Sequence, residues 1–148
     1  DKNKPLILMG SEQKQLIDYV HASAKEDYNN IASSYWPGAL TIVIPSSEKQ
    51  NSVLTSKDLT LGLRIPNSNM AQSLLKETGP LLTSSANISG FSGSITAEGI
   101  ALDFPSVRIL GPIPWKKNSG KASTIISWKK RGDWRIIREG EVLVEELN

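Results

Sequence analysis

The chain has 148 residues, no cysteine, one histidine (His21) and a formal net charge of +2. That length suits a single domain, residues 1–148, burying roughly two thirds of the surface its unfolded form exposes. The composition excludes disulfides, a thiolate zinc site, a cysteine nucleophile and a histidine-rich metal centre.

Pro5 to Met9 (PLILM) is a short apolar run that predicts a buried strand. Ser11 before Glu12, with Leu16, Ile17 and Val20 on one stripe, predicts a helix opening on a serine cap. Tyr28, Ile31, Ala32 and Tyr35 repeat at helical spacing, and their helix must stop ahead of Trp36-Pro37-Gly38, because proline disfavours helix at the residue before it. ALTIVIP at 39–45 reads as a central strand and SSEKQNSVLTSKD at 46–58 as a polar connection.

In LTLGLRIP at 59–66, strand alternation puts Leu59, Leu61, Leu63 and Ile65 on one face and Thr60, Gly62 and Arg64 on the other. A glycine between a hydroxyl and a guanidinium leaves room for a ligand. Met70, Ala71, Leu74 and Leu75 mark a helix ending near Gly79-Pro80. LLTSSANISG at 81–90 is an apolar strand running into Thr83, Ser84, Ser85 and Asn87, hydrogen-bonding groups on a rigid mount; Thr83 and Ser85 share a face if the strand persists. Ala97, Ile100, Ala101 and Phe104 predict another helix, VRIL at 107–110 a short strand, and GPIPWKKNSGK at 111–121 a loop. STIIS and WRIIREG read as a C-terminal hairpin around a Lys129-Lys130-Arg131-Gly132 turn, with Trp36, Trp128 and Trp134 as packing anchors. The order of elements predicts an α/β fold of the α+β type, a mixed sheet with helices packed on it.

Charge is uneven. From Arg108 to Arg138 nine basic residues face one acid, Asp133, a net +8, and the remainder carries −6. Such a stretch suits a polyanion or a phosphate-bearing ligand, and equally a solvated lysine-rich surface. No nucleophilic triad, P-loop or GxGxxG fingerprint is present. Neutral hydroxyls, Asn87, Arg64, Arg138 and lysines suit binding of phosphates and carboxylates, with catalysis by positioning and charge stabilisation. Taken alone, Ser85 and Asn87 fit a strand-terminating turn as readily as a site, and Arg64 fits a surface ion pair. No apolar run reaches the roughly 20 residues that cross a bilayer, and DKNKPLILMG lacks the long apolar core of a signal peptide, so a cytoplasmic protein without a membrane partner is expected.

KPLIL at 4–8, YWPGALTIVIP at 35–45, LGLRIP at 61–66, LLTSSANISG at 81–90, ASTIIS at 122–127 and IIREGEV at 136–142 follow one another in an order and spacing that resembles the YrdC family of threonylcarbamoyl-AMP synthases. The resemblance runs from residue 4 to about 142. It implies a twisted sheet with a concave basic site. The implied enzyme is a nucleotidyltransferase joining L-threonine, bicarbonate and ATP into threonylcarbamoyl-AMP with release of pyrophosphate. That product serves threonylcarbamoylation of adenosine 37 in tRNA, so tRNA and tRNA-modifying proteins are implied downstream. By position, Lys4, Thr60, Ser85, Asn87 and Arg138 would bind ATP, and Met9, Arg64, Thr83 and Ser123 would bind threonine. Mg²⁺ is expected with the phosphates and no protein metal ligand is implied.

Two features depart from that pattern. The family's KxR motif and PT(D/E)TVYGL segment are expected ahead of Asp1, and the segment that opens here at Asp1 does not carry them, so the 148 residues alone are expected to be an N-terminally incomplete domain with little or no activity. Gly93 stands where the family usually has serine. Two rival readings remain. One is a double-stranded RNA or ribosome-associated module of the same fold using the basic stretch. The other, a carbamoyl-phosphate-handling domain related to hydrogenase maturation factors, lacks the expected cysteines.

Overall fold

A computed structural model describes residues 7–47, 59–88, 90–116 and 119–143. Its contacts divide the chain into two compact units, one formed by Asp1–Thr83 with Ala122–Asn148 and the other by Ser84–Lys121.

The larger unit is built on a six-stranded sheet of β1 (Ile7–Met9), β2 (Leu40–Pro45), β3 (Thr60–Arg64), β4 (Leu81–Thr83), β5 (Thr124–Lys130) and β6 (Asp133–Arg138), in the order β4-β1-β3-β2-β5-β6. β1 runs parallel to β3 and β2 parallel to β5, while the other neighbours are antiparallel. The mixed sheet expected from the sequence is therefore present. Its helices are α1 (Gln13–Leu16), α2 (Lys25–Tyr35) and α3 (Asn69–Thr78).

Register explains the core. Leu8, Leu63 and Ile42 lie side by side, Leu61 faces Ile44, and Ile42 faces Ile126, so one face of the sheet is continuous branched aliphatic surface. Leu16, Val20, Ala24, Tyr28, Ala32 and Trp36 pack against it. Tyr28 and Trp36 meet edge to face with ring centroids 5.8 Å apart. The Tyr28 hydroxyl donates to the Gln13 carbonyl (3.1 Å), and burial pushes its phenol pKa far above the ordinary value. β2 is buried along almost its whole length, as its unbroken apolar run requires of a central strand.

Several sequence expectations need correction. The helix expected to open at Ser11 is a single turn starting at Gln13, because the Ser11 amide and hydroxyl both bond the Gln15 carboxamide oxygen (2.8 and 3.0 Å). It then tightens into 3-10 turns at Ile17–Tyr19 and Ala22–Ala24, leaving Val20 extended in an isolated bridge to Ser46. Leu59 does not join the alternation of β3: it has φ 47° and is exposed, and the strand begins at Thr60. Residues 107–110 form no strand. The hairpin turn is narrower than expected, since β5 continues to Lys130 and β6 starts at Asp133, leaving Arg131-Gly132 with Gly132 at φ 72°. Of the polar connection, residues 48–58 lie outside the described residues.

The hairpin tip is tied to α2. Asp27 accepts hydrogen bonds from the Trp128 indole (2.6 Å) and the Gly132 amide (2.9 Å), and Arg131 pairs with Glu26 at 2.8 Å. Part of the basic stretch is thus already neutralised within the fold.

The smaller unit holds α4 (Ala97–Asp103), where the Thr96 hydroxyl caps the Gly99 amide at 3.1 Å and Ala97 and Ile100 are buried.

Beyond β6 the chain folds back onto the start of β5. The Glu141 amide donates to the Ala122 carbonyl (3.0 Å), and the Thr124 hydroxyl donates to the Val142 carbonyl (2.6 Å) while accepting from the Val142 amide (3.1 Å). A Cβ on Gly140 would lie 2.5 Å from Ser123 C and Thr124 N, so only glycine allows this approach. Gly140→Ala is expected to destabilise the protein by about 1–3 kcal/mol. A urea midpoint equal to that of the unsubstituted protein would contradict the contact.

Candidate functional site

Strand direction gathers polar groups at one end of the sheet. β1 and β3 end there at Met9 and Arg64, β2 and β5 begin there at Leu40 and Thr124, and β6 returns to it at Arg138. The face opposite the apolar core carries Thr41, whose register partner is Ile125.

Simple alternation along β6 would place Arg138 on the face of Trp134 and Ile136. The ladder slips instead: Ile126 faces Ile136 while Ile125 faces Arg138, so Ile137 is an extra residue and Arg138 is turned to the face that holds Thr41. Re-aiming one side chain is a common consequence of such a bulge.

Arg138 then holds the residue just ahead of β5. Its Nε and Nη2 donate to the Ser123 carbonyl (3.1 and 2.7 Å), and Nη2 also donates to Ser123 Oγ (3.1 Å). Ser123 Oγ in turn lies 2.9 Å from Thr41 Oγ1. Arg64 Nε donates to the Gly38 carbonyl (3.1 Å), which fixes the guanidinium while leaving further N–H donors on it. Burial pushes the Arg64 pKa down from its ordinary value; the Glu141 carboxylate opposes that shift and Arg138 adds to it. The result is a partly desolvated cation beside a second guanidinium, suited to a carboxylate or phosphate oxygen.

The sequence-derived candidates separate into groups. Met9, Arg64, Ser123 and Arg138 come to this end of the sheet. Thr60 shares a face with Arg64 but sits four residues away at the opposite end of β3, about 13 Å along the strand. Thr83 faces Ile7, the far residue of β1, and its hydroxyl donates to the Ile7 carbonyl (3.0 Å). The strand ends at Thr83, so it does not extend to Ser85.

Ser85 and Asn87 belong to the smaller unit. There the Asn87 carboxamide donates to the Ile88 carbonyl (3.1 Å) and the Phe91 carbonyl (2.9 Å), closing a turn. Lys4 lies outside the described residues. Among the described residues no three His, Cys, Asp or Glu side chains gather to hold a metal ion.

Sequence reasoning assigned no role to Thr41 or Glu141. Thr41 stands in the WPGALT motif, but its partner is 82 residues away, and only the β2–β5 pairing reveals the contact.

Comparison with known proteins agrees with this architecture. The sequence model of the Sua5/YciO/YrdC family, described as telomere recombination, matches residues 1–140. The chain belongs to that family. It is 32% identical over 131 residues to proteins named threonylcarbamoyl-AMP synthase from Yersinia pestis and Yersinia pseudotuberculosis, covering 86% of this chain and 69% of theirs. Among solved structures, P. abyssi Sua5 complexed with L-threonine superposes with a TM-score of 0.83 at 29% identity, over 99% of this chain. This chain spans only 42% of that Sua5 chain. E. coli YciO shares the fold, with a TM-score of 0.73 at 23% identity over 98% of this chain and 70% of its own.

If Arg138 acts through its planar, multiply bonded contact with Ser123, lysine will not replace it. Arg138→Lys keeps the charge and loses the paired donors, so it is expected to lower stability by about 1 kcal/mol, somewhat below the usual range for charged hydrogen bonds because the position is solvent-accessible. Chemical denaturation checks this, and an unchanged midpoint would reduce Arg138 to a surface charge.

Proposed function

We propose that this family member takes part in making threonylcarbamoyl-AMP from L-threonine, bicarbonate and ATP, releasing pyrophosphate, for modification of adenosine 37 in tRNA. The observation that carries the reading is the sheet end where Arg64, Arg138, Ser123 and Thr41 meet. It offers cationic and hydroxyl groups suited to a reaction run by alignment and charge stabilisation. Support comes from the names of the 32%-identical relatives and from the likeness to a Sua5 structure that holds L-threonine.

In this proposal Arg64 takes the amino-acid carboxylate, with Met9, Thr83 and Ser123 as further threonine contacts. Arg138, Thr60, Ser85, Asn87 and Lys4 are assigned to ATP. The hydroxyl and carboxylate of threonine match the hydrogen-bonding groups of the sheet end, and the excess positive charge suits a carboxylate and phosphates. Asn87 can reach a phosphate only by releasing one of its two carbonyl partners, so part of its role is to shape the Ser85 loop. Magnesium, carried on the phosphates, would neutralise charge on the leaving pyrophosphate. In this proposal the reaction takes place in the cytoplasm.

Pyrophosphate release dependent on threonine, bicarbonate and ATP together tests the proposal. Its loss when threonine is withheld is expected, and release indifferent to threonine would overturn it. Steep loss of RNA binding with added salt, in the absence of such turnover, would favour the RNA-binding alternative, for which exposed Lys129, Lys130 and Arg135 are available. Within the proposal, Arg64→Ala should raise the threonine KM about tenfold or more and the ATP KM much less, as loss of a charge-assisted pair predicts. Equal changes in both constants would move Arg64 to a structural role. Asn87→Ala should lower turnover by about tenfold or more with little change in melting temperature; unchanged pyrophosphate release would remove the loop from the site.

A further inference from the structure

Thr41 is 1% exposed and Ser123 7% exposed, and their hydroxyl oxygens are 2.9 Å apart. A hydroxyl has one hydrogen and two acceptor positions. Among the described residues Thr41 Oγ1 has Ser123 Oγ as its one hydrogen-bond partner. Leaving a buried donor unmade is costly, so the Thr41 hydrogen is directed at Ser123. Ser123 Oγ also accepts from Arg138 Nη2 at 3.1 Å. Both acceptor positions of Ser123 are then filled, and its own hydrogen must point to a third group. Beside two guanidiniums that group is an anionic or hydroxyl oxygen of the ligand rather than an ammonium.

We propose that Thr41 is a positioning residue that sets the polarity of the site, making Ser123 a hydrogen-bond donor to an oxygen of the bound amino acid. The proposal rests on the threonine-binding reading above and adds to it the direction of the proton. Without the Thr41 hydroxyl, Ser123 regains a free acceptor position and its hydrogen can rotate away from the ligand. Thr41 acts only through Ser123, so its effect depends on Ser123 being present.

The test is calorimetric titration of the full-length protein with L-threonine in the presence of ATP, for wild type, Thr41→Val, Thr41→Ser, Ser123→Ala and the Thr41→Val/Ser123→Ala pair. Thr41→Val preserves shape and removes the hydroxyl; it is expected to weaken threonine binding by up to about twelvefold and by more than the Thr41→Ser variant, the upper range for the net worth of one hydrogen bond. Thr41→Ser should bind within about twofold of wild type, since it restores the donor. In the Ser123→Ala background, Thr41→Val should cause no further weakening. Should Thr41→Val melt too early for titration, Thr41→Ser against the weak donor Thr41→Cys carries the same comparison.

Wild-type-like binding by Thr41→Val, or weakening that persists without Ser123, overturns the positioning role while leaving the proposed function standing. Failure of the wild type itself to bind threonine overturns the functional reading, and the positioning role falls with it.

Discussion

One extra residue in β6 governs the polar end of this molecule. The register slip at Ile137 turns Arg138 from the face of Ile136 to that of Ile125 and Thr41. Only from there can its guanidinium reach both the carbonyl and the hydroxyl of Ser123. The backbone return at Gly140, pressed against Ser123 and Thr124, holds the same stretch from the other side. Ser123 is therefore constrained by side chain and main chain before any ligand arrives, which is the preorganisation that electrostatic catalysis requires.

The rest of the larger unit keeps that end rigid. Parallel pairing of β1 with β3 and of β2 with β5 makes alternate strands begin and end at a common edge, so residues far apart in sequence are delivered to one place. The apolar face packs on Tyr28 and Trp36, and the hairpin that carries Arg138 is anchored at its far tip by Asp27. The hydrogen bonds of Arg138 to Ser123 and the tether at the opposite end of the hairpin together restrain this guanidinium.

Much of this was legible in the sequence, and the misses have physical causes. The unbroken apolar run of ALTIVIP identified the central strand, and Trp36-Pro37-Gly38 marked the end of α2, because both signals are local. Alternation in LGLR correctly set Leu61 and Leu63 against the core. It failed at Leu59, where positive φ ends the strand geometry, and at 107–110, where apolar residues have no strand to pair with among the described residues. Ser11 resembled a cap, but Gln15 captures both of its donors.

The candidate site shows the same division. Arg64, Ser123 and Arg138 were found through short motifs, whereas Thr41 depends on an inter-strand contact and Arg138's facing depends on a bulge that alternation cannot show. A crystal structure of the full-length protein with L-threonine and ATP tests the account most directly. It should show the threonine carboxylate on Arg64 and a threonine oxygen about 3 Å from Ser123 Oγ, with the Arg138 and Thr41 contacts to Ser123 retained. Threonine bound away from this sheet end, or Arg138 released from Ser123 to reach it, would contradict a site built in advance by the fold.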